Sequence, residues 1–116
     1  MVSQTTYREQ SRALLEQAYR ELREGDLRQT SEKGCGAASQ MVKAVGSQRG
    51  WEHKHHRELF AVVYRLRRET SDREIARLFE PANVLHADFY EGQMNESDVE
   101  DALERVGSLW ISWSHC

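Results

Sequence analysis

The sequence has little of what defines several special classes of protein. It contains one proline and two cysteines in 116 residues, and its longest apolar runs are short. Two cysteines cannot form the disulfide framework of a small secreted domain, and short apolar runs exclude a transmembrane helix. The N-terminal residues have no apolar stretch behind their charges, so we expect no signal peptide. These absences predict a cytoplasmic protein that does not enter the membrane.

Length and composition indicate one folded domain over residues 1–116. Domains typically contain about 100–150 residues, and a chain of this size buries roughly two-thirds of its unfolded surface. Apolar residues make up 39% of the chain and charged residues 30%. This balance excludes a disordered tail and leaves enough apolar surface for a core.

The spacing of apolar residues predicts five helical segments and no strand. The first three cover about residues 4–24, 26–48 and 52–69; the fourth runs from Ser71 to Gly92, and the fifth follows a cap at Asn95 or Ser97. Connections of two to eight residues are usual in helical bundles. The predicted fold is therefore all-α, a compact up-and-down bundle of about five helices.

Local signals mark the boundaries of these segments. Gly25 can take the left-handed conformation that ends a helix, and Asp26, with Gln29 three residues later, resembles an N-cap. The run GCGAAS at 34–39 would let another helix approach closely, although a break at 34–36 is the alternative. Pro81 predicts a kink, or a division of the fourth segment in two.

Charge is unevenly distributed along the chain. Residues 49–68 contain six basic and two acidic side chains, whereas residues 69–116 contain three basic and eleven acidic ones. A basic segment can bind phosphates. The alternative, which the net charge of −3 favours, is a solvated helix face that pairs with the acidic last third, within the chain or across a dimer.

Polar residues lie on the apolar stripe of the predicted fourth segment. His86 follows the spacing of the buried positions, and Tyr90 lies one turn later. Because a proline kink opens space between helices, this segment can line a pocket. Glu32 and Lys33 of the second segment either face solvent or reach the same pocket. The alternative for His86 is a core histidine whose ring nitrogens bond to a neighbouring helix.

The sequence contains no motif for nucleophilic catalysis, no glycine-rich phosphate loop and no zinc-protease motif. His53 and His56 have the spacing of two metal ligands on one helix, but only residues brought in by folding, such as His86, could complete a site. A polar helix start is the favoured interpretation. Cys35 lies among small residues and is predicted to pack. We therefore expect no metal and no cofactor.

Several blocks of sequence resemble the PaREP family, a paralogous-repeat family first noted in hyperthermophilic archaea. They are GDLRQTSEKGCGAA (25–38), the stretch RGW…HHREL (49–59), and ANVLHADFYEG (82–92) followed by ESDVEDALERV (96–106). The resemblance covers about residues 13–110. That family is similar to the HEPN superfamily of small all-helical nucleotide- and RNA-associated domains. It implies a helical bundle, dimerisation and a family largely without an established activity.

The resemblance departs from the pattern of HEPN ribonucleases at their catalytic motif. Those enzymes place an arginine shortly before a histidine on a late helix, and the composite site forms at a dimer interface. His86 matches the histidine, whereas residues 80–82 read Glu-Pro-Ala where the arginine belongs. RNA cleavage without a metal needs a fixed cation for the developing phosphorane charge. The departure therefore favours binding over catalysis.

We expect a non-catalytic, HEPN-like binding module that forms a homodimer. Its ligand is a nucleotide or RNA, or its partner is a nucleotidyltransferase in a toxin–antitoxin-type arrangement, which rests on family analogy. The predicted ligand-binding residues are Glu32, Lys33, His56, His86 and Tyr90. One alternative is a metal-independent ribonuclease with His86 and His56 as its acid–base pair. The other is a structural or interaction domain whose histidines only pack.

Overall fold

The computed structural model describes residues 4–70 and 94–113, which form four helices. These are α1 (Gln4–Glu24), α2 (Leu27–Arg49), α3 (His56–Thr70) and α4 (Glu96–Trp113). No strand occurs within these two ranges, and the prediction of an all-α helical bundle is confirmed. The predicted fourth segment, with its kink at Pro81, lies outside the described residues. No helix in the described part of the chain is long and apolar enough to cross a membrane.

The turn between α1 and α2 forms as the local sequence predicts. Gly25 has a φ of +84°, and the N–H groups of Gly25 and Asp26 donate to the carbonyl oxygens of Leu22 and Glu21 at 3.1 and 3.0 Å. The Asp26 carboxylate then accepts a 3.1 Å hydrogen bond from the N–H of Gln29. One helix therefore ends and the next begins within two residues, which makes α1 and α2 direct neighbours.

Small residues bring α1 and α2 close together. Ser11 of α1 is completely buried, and its hydroxyl donates a 2.6 Å hydrogen bond to the carbonyl oxygen of Ala37 in α2. A Cβ added at Gly36 would lie only 3.3 Å from Cδ1 of Leu14. The helix is continuous through residues 34–36. The alternative of a break there is wrong, because packing against α1 offsets the low helix propensity of glycine.

α2 is the central helix of the described bundle, since it contacts α1, α3 and α4. The apolar spacing of the sequence predicts one buried face on α2, which runs from Leu27 through Ser31, Gly34 or Cys35, Ala38 and Met41 or Val42 to Val45, and the buried surface of the helix is wider than this face. Thr30, Ala37 and Ala44 form a second buried row at seven-residue spacing. A helix with neighbours on several sides buries more than one stripe. The full set of buried α2 residues is Thr30, Ser31, Gly34, Ala37, Ala38, Met41, Val42, Ala44, Val45 and Gly46.

The chain turns back across the end of α2 before α3 begins. Gly50 has a φ of +72°, and the N–H of Trp51 donates to the carbonyl oxygen of Gly46 at 2.8 Å. A Cβ added at Gly46 would lie 2.8 Å from the Cβ of His53 and 3.2 Å from Cγ2 of Val62. Only glycine therefore leaves room for the loop and α3 to pack at this point.

α3 begins at His56, four residues after the start near 52 that the sequence predicted. The Glu58 carboxylate accepts hydrogen bonds from the N–H groups of Lys54 and His55, at 3.1 and 2.8 Å. The bond to His55 is that of a capping box, in which a glutamate of the first turn reaches back to the residue that caps the helix. The helix buries Leu59, Val62, Val63 and Leu66, as its spacing predicts. Phe60, which was also predicted to be buried, is half-buried against the core.

α4 begins after Asn95, whose side-chain oxygen accepts a 2.9 Å hydrogen bond from the N–H of Asp98. Of the two caps that the sequence allowed, the structure therefore uses Asn95. The helix packs against α1 and α2. Val99, Ala102, Leu103 and Val106 are buried, as the spacing predicts. The other residues predicted to be buried, Leu109, Trp110 and Trp113, have side chains outside the described part of the structure.

Replacing Gly46 by alanine should destabilise the protein. The added methyl group overlaps the Cβ of His53, and overpacking of this kind costs about 1–3 kcal/mol. Chemical denaturation measures the change. Gly107→Ala in α4 is the matched control, because its nearest side-chain atom, the Tyr19 hydroxyl oxygen, would lie at 3.6 Å. The control should gain up to about 1 kcal/mol from helix propensity. Stabilisation by both substitutions would contradict the close packing at Gly46.

Ser11→Ala should lower the free energy of unfolding by about 1 kcal/mol, because it removes a buried hydrogen bond to the Ala37 carbonyl. Ser108→Ala is the control. Its hydroxyl bonds the carbonyl oxygen of Glu104 at 3.3 Å on an exposed surface of α4, where the loss is compensated by water. Thermal and chemical unfolding of both variants tests the difference. Equal effects would show that the Ser11 hydroxyl does not stabilise the contact between α1 and α2.

Candidate functional site

Glu32 and Lys33, two of the predicted ligand-binding residues, lie in the first part of α2. Glu32 is exposed. The Lys33 ammonium lies 3.1 Å from a carboxylate oxygen of Glu21 in α1, and the two side chains are only 24% and 22% exposed. Lys33 therefore joins α1 to α2, and a ligand that used its charge would compete with Glu21.

His56, a third predicted residue, is the first residue of α3. The loop that leads to it packs at Gly46, which lies about 20 Å beyond Lys33 along α2 at 1.5 Å per residue. No hydrogen bond or ion pair described for residues 4–70 and 94–113 joins Glu32 or Lys33 to α3. His86 and Tyr90 lie outside those ranges. The five-residue pocket, and the pairing of His86 with His56 in a ribonuclease, stay predictions.

His53 stabilises the loop before α3. Its Nδ1 lies 2.7 Å from the carbonyl oxygen of Trp51, and because a carbonyl can only accept, Nδ1 carries the proton. The ring also meets the Tyr7 ring edge to face, with centroids 5.6 Å apart. In the described part of the chain, no three His, Cys, Asp or Glu side chains group closely enough to hold a metal ion.

Cys35 packs against the hydrophobic core. Burial raises the pKa of its thiol, and a hydrogen bond with Ser39 offsets part of that shift. The thiol is therefore protonated at neutral pH, which makes it a poor nucleophile. This environment agrees with the packing role that the sequence predicted.

Trp51 is the centre of a cluster that the sequence analysis did not single out. The guanidinium carbon of Arg65 lies 4.4 Å from the centroid of the Trp51 ring, and that of Arg49 lies 5.4 Å away. Both guanidinium groups also pair with the carboxylate of Glu69 near the end of α3. The ring and the two cations are thus held together by contacts from α2, the loop and α3. The sequence signal that could have indicated this cluster is the presence of a tryptophan within the basic segment 49–68.

A cavity of about 200 Å³ opens beside this cluster, and it is lined by Trp51, Glu52, Glu58, Ala61, Val62 and Arg65. Its walls combine an aromatic ring and aliphatic side chains with two carboxylates and one guanidinium group. The hydrogen bonds from the N–H groups of His55 and Lys54 lower the pKa of Glu58. That carboxylate is therefore ionised and fixed in position at neutral pH.

The outer surface of α3 carries positive charge. Arg57, Ala61, Tyr64, Arg65 and Arg68 are all exposed and share one side of the helix. We call this set the α3 face. Tyr64 is 52% exposed, so this surface also presents an aromatic ring. Arg57 and Arg68 have no ion pair within the described ranges, and neither does Lys54 just before the helix.

The acidic residues of α4 do not neutralise this surface within the chain. They are exposed, and α4 packs against α1 and α2, with no contact to α3 described in either range. The acidic residue from the last third of the sequence that pairs with the basic segment is Glu69, which itself belongs to α3. The predicted pairing of the basic segment with the acidic last third is therefore seen at Glu69 and not at α4, and the other acidic residues of that third lie outside the described residues. The α4 acids are Glu96, Asp98, Glu100, Asp101 and Glu104.

Comparison with solved structures supports the fold. The crystal structure of a protein from Sulfolobus solfataricus superimposes with a TM-score of 0.82 at 27% sequence identity. The match covers 91% of this chain and 94% of that protein. No curated protein matches the chain significantly.

A family model identifies the chain more directly. The model described as the archaeal PaREP1/PaREP8 family matches residues 6–110. The resemblance to the PaREP family is thereby confirmed, whereas the similarity to the HEPN superfamily stays a prediction. The homodimer, the nucleotidyltransferase partner and the cytoplasmic location are tested by none of these comparisons. Because the match spans nearly all of the sequence, the chain belongs to the archaeal PaREP1/PaREP8 family.

Proposed function

We propose that this protein is a non-catalytic binding module for single-stranded RNA, and that the RNA lies over the α3 face and Trp51. One observation carries the proposal: the half-buried Trp51 ring lies within 5.4 Å of two guanidinium groups, at the edge of a basic helix. Proteins recognise single-stranded RNA by stacking bases on aromatic side chains and arginine planes, while cations bind the phosphates. The α3 face and Trp51 together offer aromatic rings for stacking and cations for the phosphates.

The cations divide into two groups with different environments. Arg49 and Arg65 are held beside Trp51 by Glu69, so their positions are set before a ligand arrives. Arg57, Arg68 and Lys54 are exposed and have no ion pair described in the two ranges. Phosphate contacts with this second group therefore break no existing pair. Such contacts supply most of the sequence-independent affinity for nucleic acid.

The acidic net charge of the chain does not oppose this proposal. The α4 carboxylates face solvent on a helix that packs against α1 and α2. Screening at physiological salt limits the range of exposed charges to about 10 Å, so the nearest charges dominate the potential at any surface. The potential that an approaching RNA meets is therefore that of the α3 face.

The double substitution Arg57→Gln with Arg68→Gln should weaken RNA binding by about tenfold. It should also reduce the slope of log affinity against log salt by about 1.4, because each lost phosphate contact with a single strand removes about 0.7 of counterion release. Fluorescence anisotropy with a labelled single-stranded RNA of mixed sequence measures both quantities. Arg20→Gln with Arg23→Gln on α1 makes the same change in net charge at exposed positions, and it should leave the affinity within about twofold.

Two results would contradict the proposal. The native protein could fail to bind RNA at low salt, or the two double variants could weaken binding equally. The same RNA, run on a denaturing gel, tests the assignment as non-catalytic and should remain intact. Cleavage that persists in EDTA and is lost in His86→Ala would instead support the ribonuclease that uses His86 and His56.

A further inference from the structure

The cavity beside Trp51 has the size and the walls of a site for one flat heteroaromatic ring. Its volume of about 200 Å³ is below the range of roughly 300–1,000 Å³ that is usual for sites of drug-sized ligands. Trp51, Ala61 and Val62 supply apolar wall, against which the face of a ring can pack. The polar lining consists of Glu52, Glu58 and Arg65, and it can meet only the edges of such a ring.

The two carboxylates of the cavity have different roles. Oε1 of Glu58 already accepts hydrogen bonds from the N–H groups of Lys54 and His55, so this side chain holds the loop. Glu52 is exposed and has no hydrogen bond or ion pair described in residues 4–70 and 94–113. Both of its oxygens are therefore available to a ligand, and a carboxylate with two free oxygens suits two donors that lie side by side.

Guanine is the RNA base that presents two adjacent donors. Its N1–H and N2–H₂ groups lie together on the Watson–Crick edge, and its O6 and N7 acceptors form the neighbouring edge. The cavity places a carboxylate, Glu52, and a guanidinium group, Arg65, on its lining. Adenine and cytosine each have one amino group beside a ring nitrogen lone pair, which a carboxylate repels. Uracil offers a single N–H between two carbonyl groups.

We propose that this cavity is a guanine site within the RNA-binding surface, and the inference rests on the proposed function. Glu52 accepts hydrogen bonds from N1–H and N2–H₂, Arg65 donates to O6 or N7, and the ring packs against Trp51. The phosphates lie outside the cavity, near Lys54 and Arg57, because inside it they would face two carboxylates. A cationic ligand is disfavoured by Arg65 on the wall and by Arg49, whose guanidinium carbon lies 5.4 Å from the centroid of the Trp51 ring.

The test compares three single-stranded RNAs of about 12 nucleotides: alternating uridine with guanosine, with inosine and with adenosine. The native protein should bind the guanosine RNA about tenfold more tightly than the adenosine RNA, as expected for one bidentate contact. The inosine RNA should fall between them, because inosine keeps N1–H and lacks the 2-amino group. Lithium buffer prevents association of the guanosine strands, and anisotropy gives all three affinities.

Glu52→Gln should reduce the guanosine-to-adenosine ratio of affinities to about twofold. Loss of a negative charge raises the affinity for every RNA together, so the ratio rather than either affinity is the readout. Glu96→Gln, at an exposed carboxylate at the start of α4, is the matched control and should keep the tenfold ratio. Ala61→Leu, which fills the cavity from an exposed position on α3, should also abolish the preference while the helix is retained.

Each other outcome overturns a distinct statement. Equal affinity of the native protein for the guanosine and adenosine RNAs would overturn the guanine site and leave RNA binding intact. A preference that survives both Glu52→Gln and Ala61→Leu would place guanine recognition elsewhere and would also overturn the inference. Failure to bind any of the three RNAs would remove the proposed function and the guanine site together.

Discussion

The contact between α1 and α2 is the constraint on which the described fold depends. The buried Ser11 hydroxyl donates to the Ala37 carbonyl at 2.6 Å, and a side chain as short as serine can reach a neighbouring helix backbone only where the two helices are close. Gly36 contributes to this closeness, because a Cβ there would crowd Leu14. A buried hydroxyl without a partner would cost about 1–3 kcal/mol. The hydrogen bond therefore forms only because α1 and α2 are close, and it offsets the cost of burying the Ser11 hydroxyl between them.

α1 packs closely against one side of α2, and other helices pack against its remaining sides. α4 and α3 both contact α2, and the buried side chains of all four helices form one cluster. Gly46 has the same role near the end of α2 as Gly36 has in its middle. It lets the loop residue His53 and the α3 residue Val62 approach the helix backbone. Small residues on the central helix thus decide where its neighbours lie.

The separation of charge follows from this arrangement. Because α4 packs against α1 and α2, its carboxylates face solvent away from any described contact with α3. Arg57 and Arg68 of α3 keep their charge accessible, whereas Arg65 of α3 and Arg49 of α2 are held beside Trp51 by Glu69. The net charge of −3 therefore describes neither the basic surface of α3 nor the acidic surface of α4. The local surface, rather than the sum over the chain, is what a charged ligand meets.

Features that depend on a few neighbouring residues were determined by the sequence. The all-α class follows from apolar spacing, and the turn at Gly25 and Asp26 forms as predicted because its hydrogen bonds join residues at most five positions apart. Even so, the start of α3 was predicted too early, since the capping bonds of Glu58 use the two residues just before the helix. Local sequence signals thus predict the presence of a helix more accurately than the residue at which it begins.

Features that join distant residues were decided only by the tertiary structure. The sequence alone does not show that Thr30, Ala37 and Ala44 form a second buried row on α2. Small residues such as alanine occur both in buried and in exposed positions of a helix. The pairing of Lys33 with Glu21 and the meeting of Arg65 with Trp51 each join residues from separate elements. Such contacts require the orientation of whole helices, and that orientation is set by the combined packing of the core rather than by any local pattern.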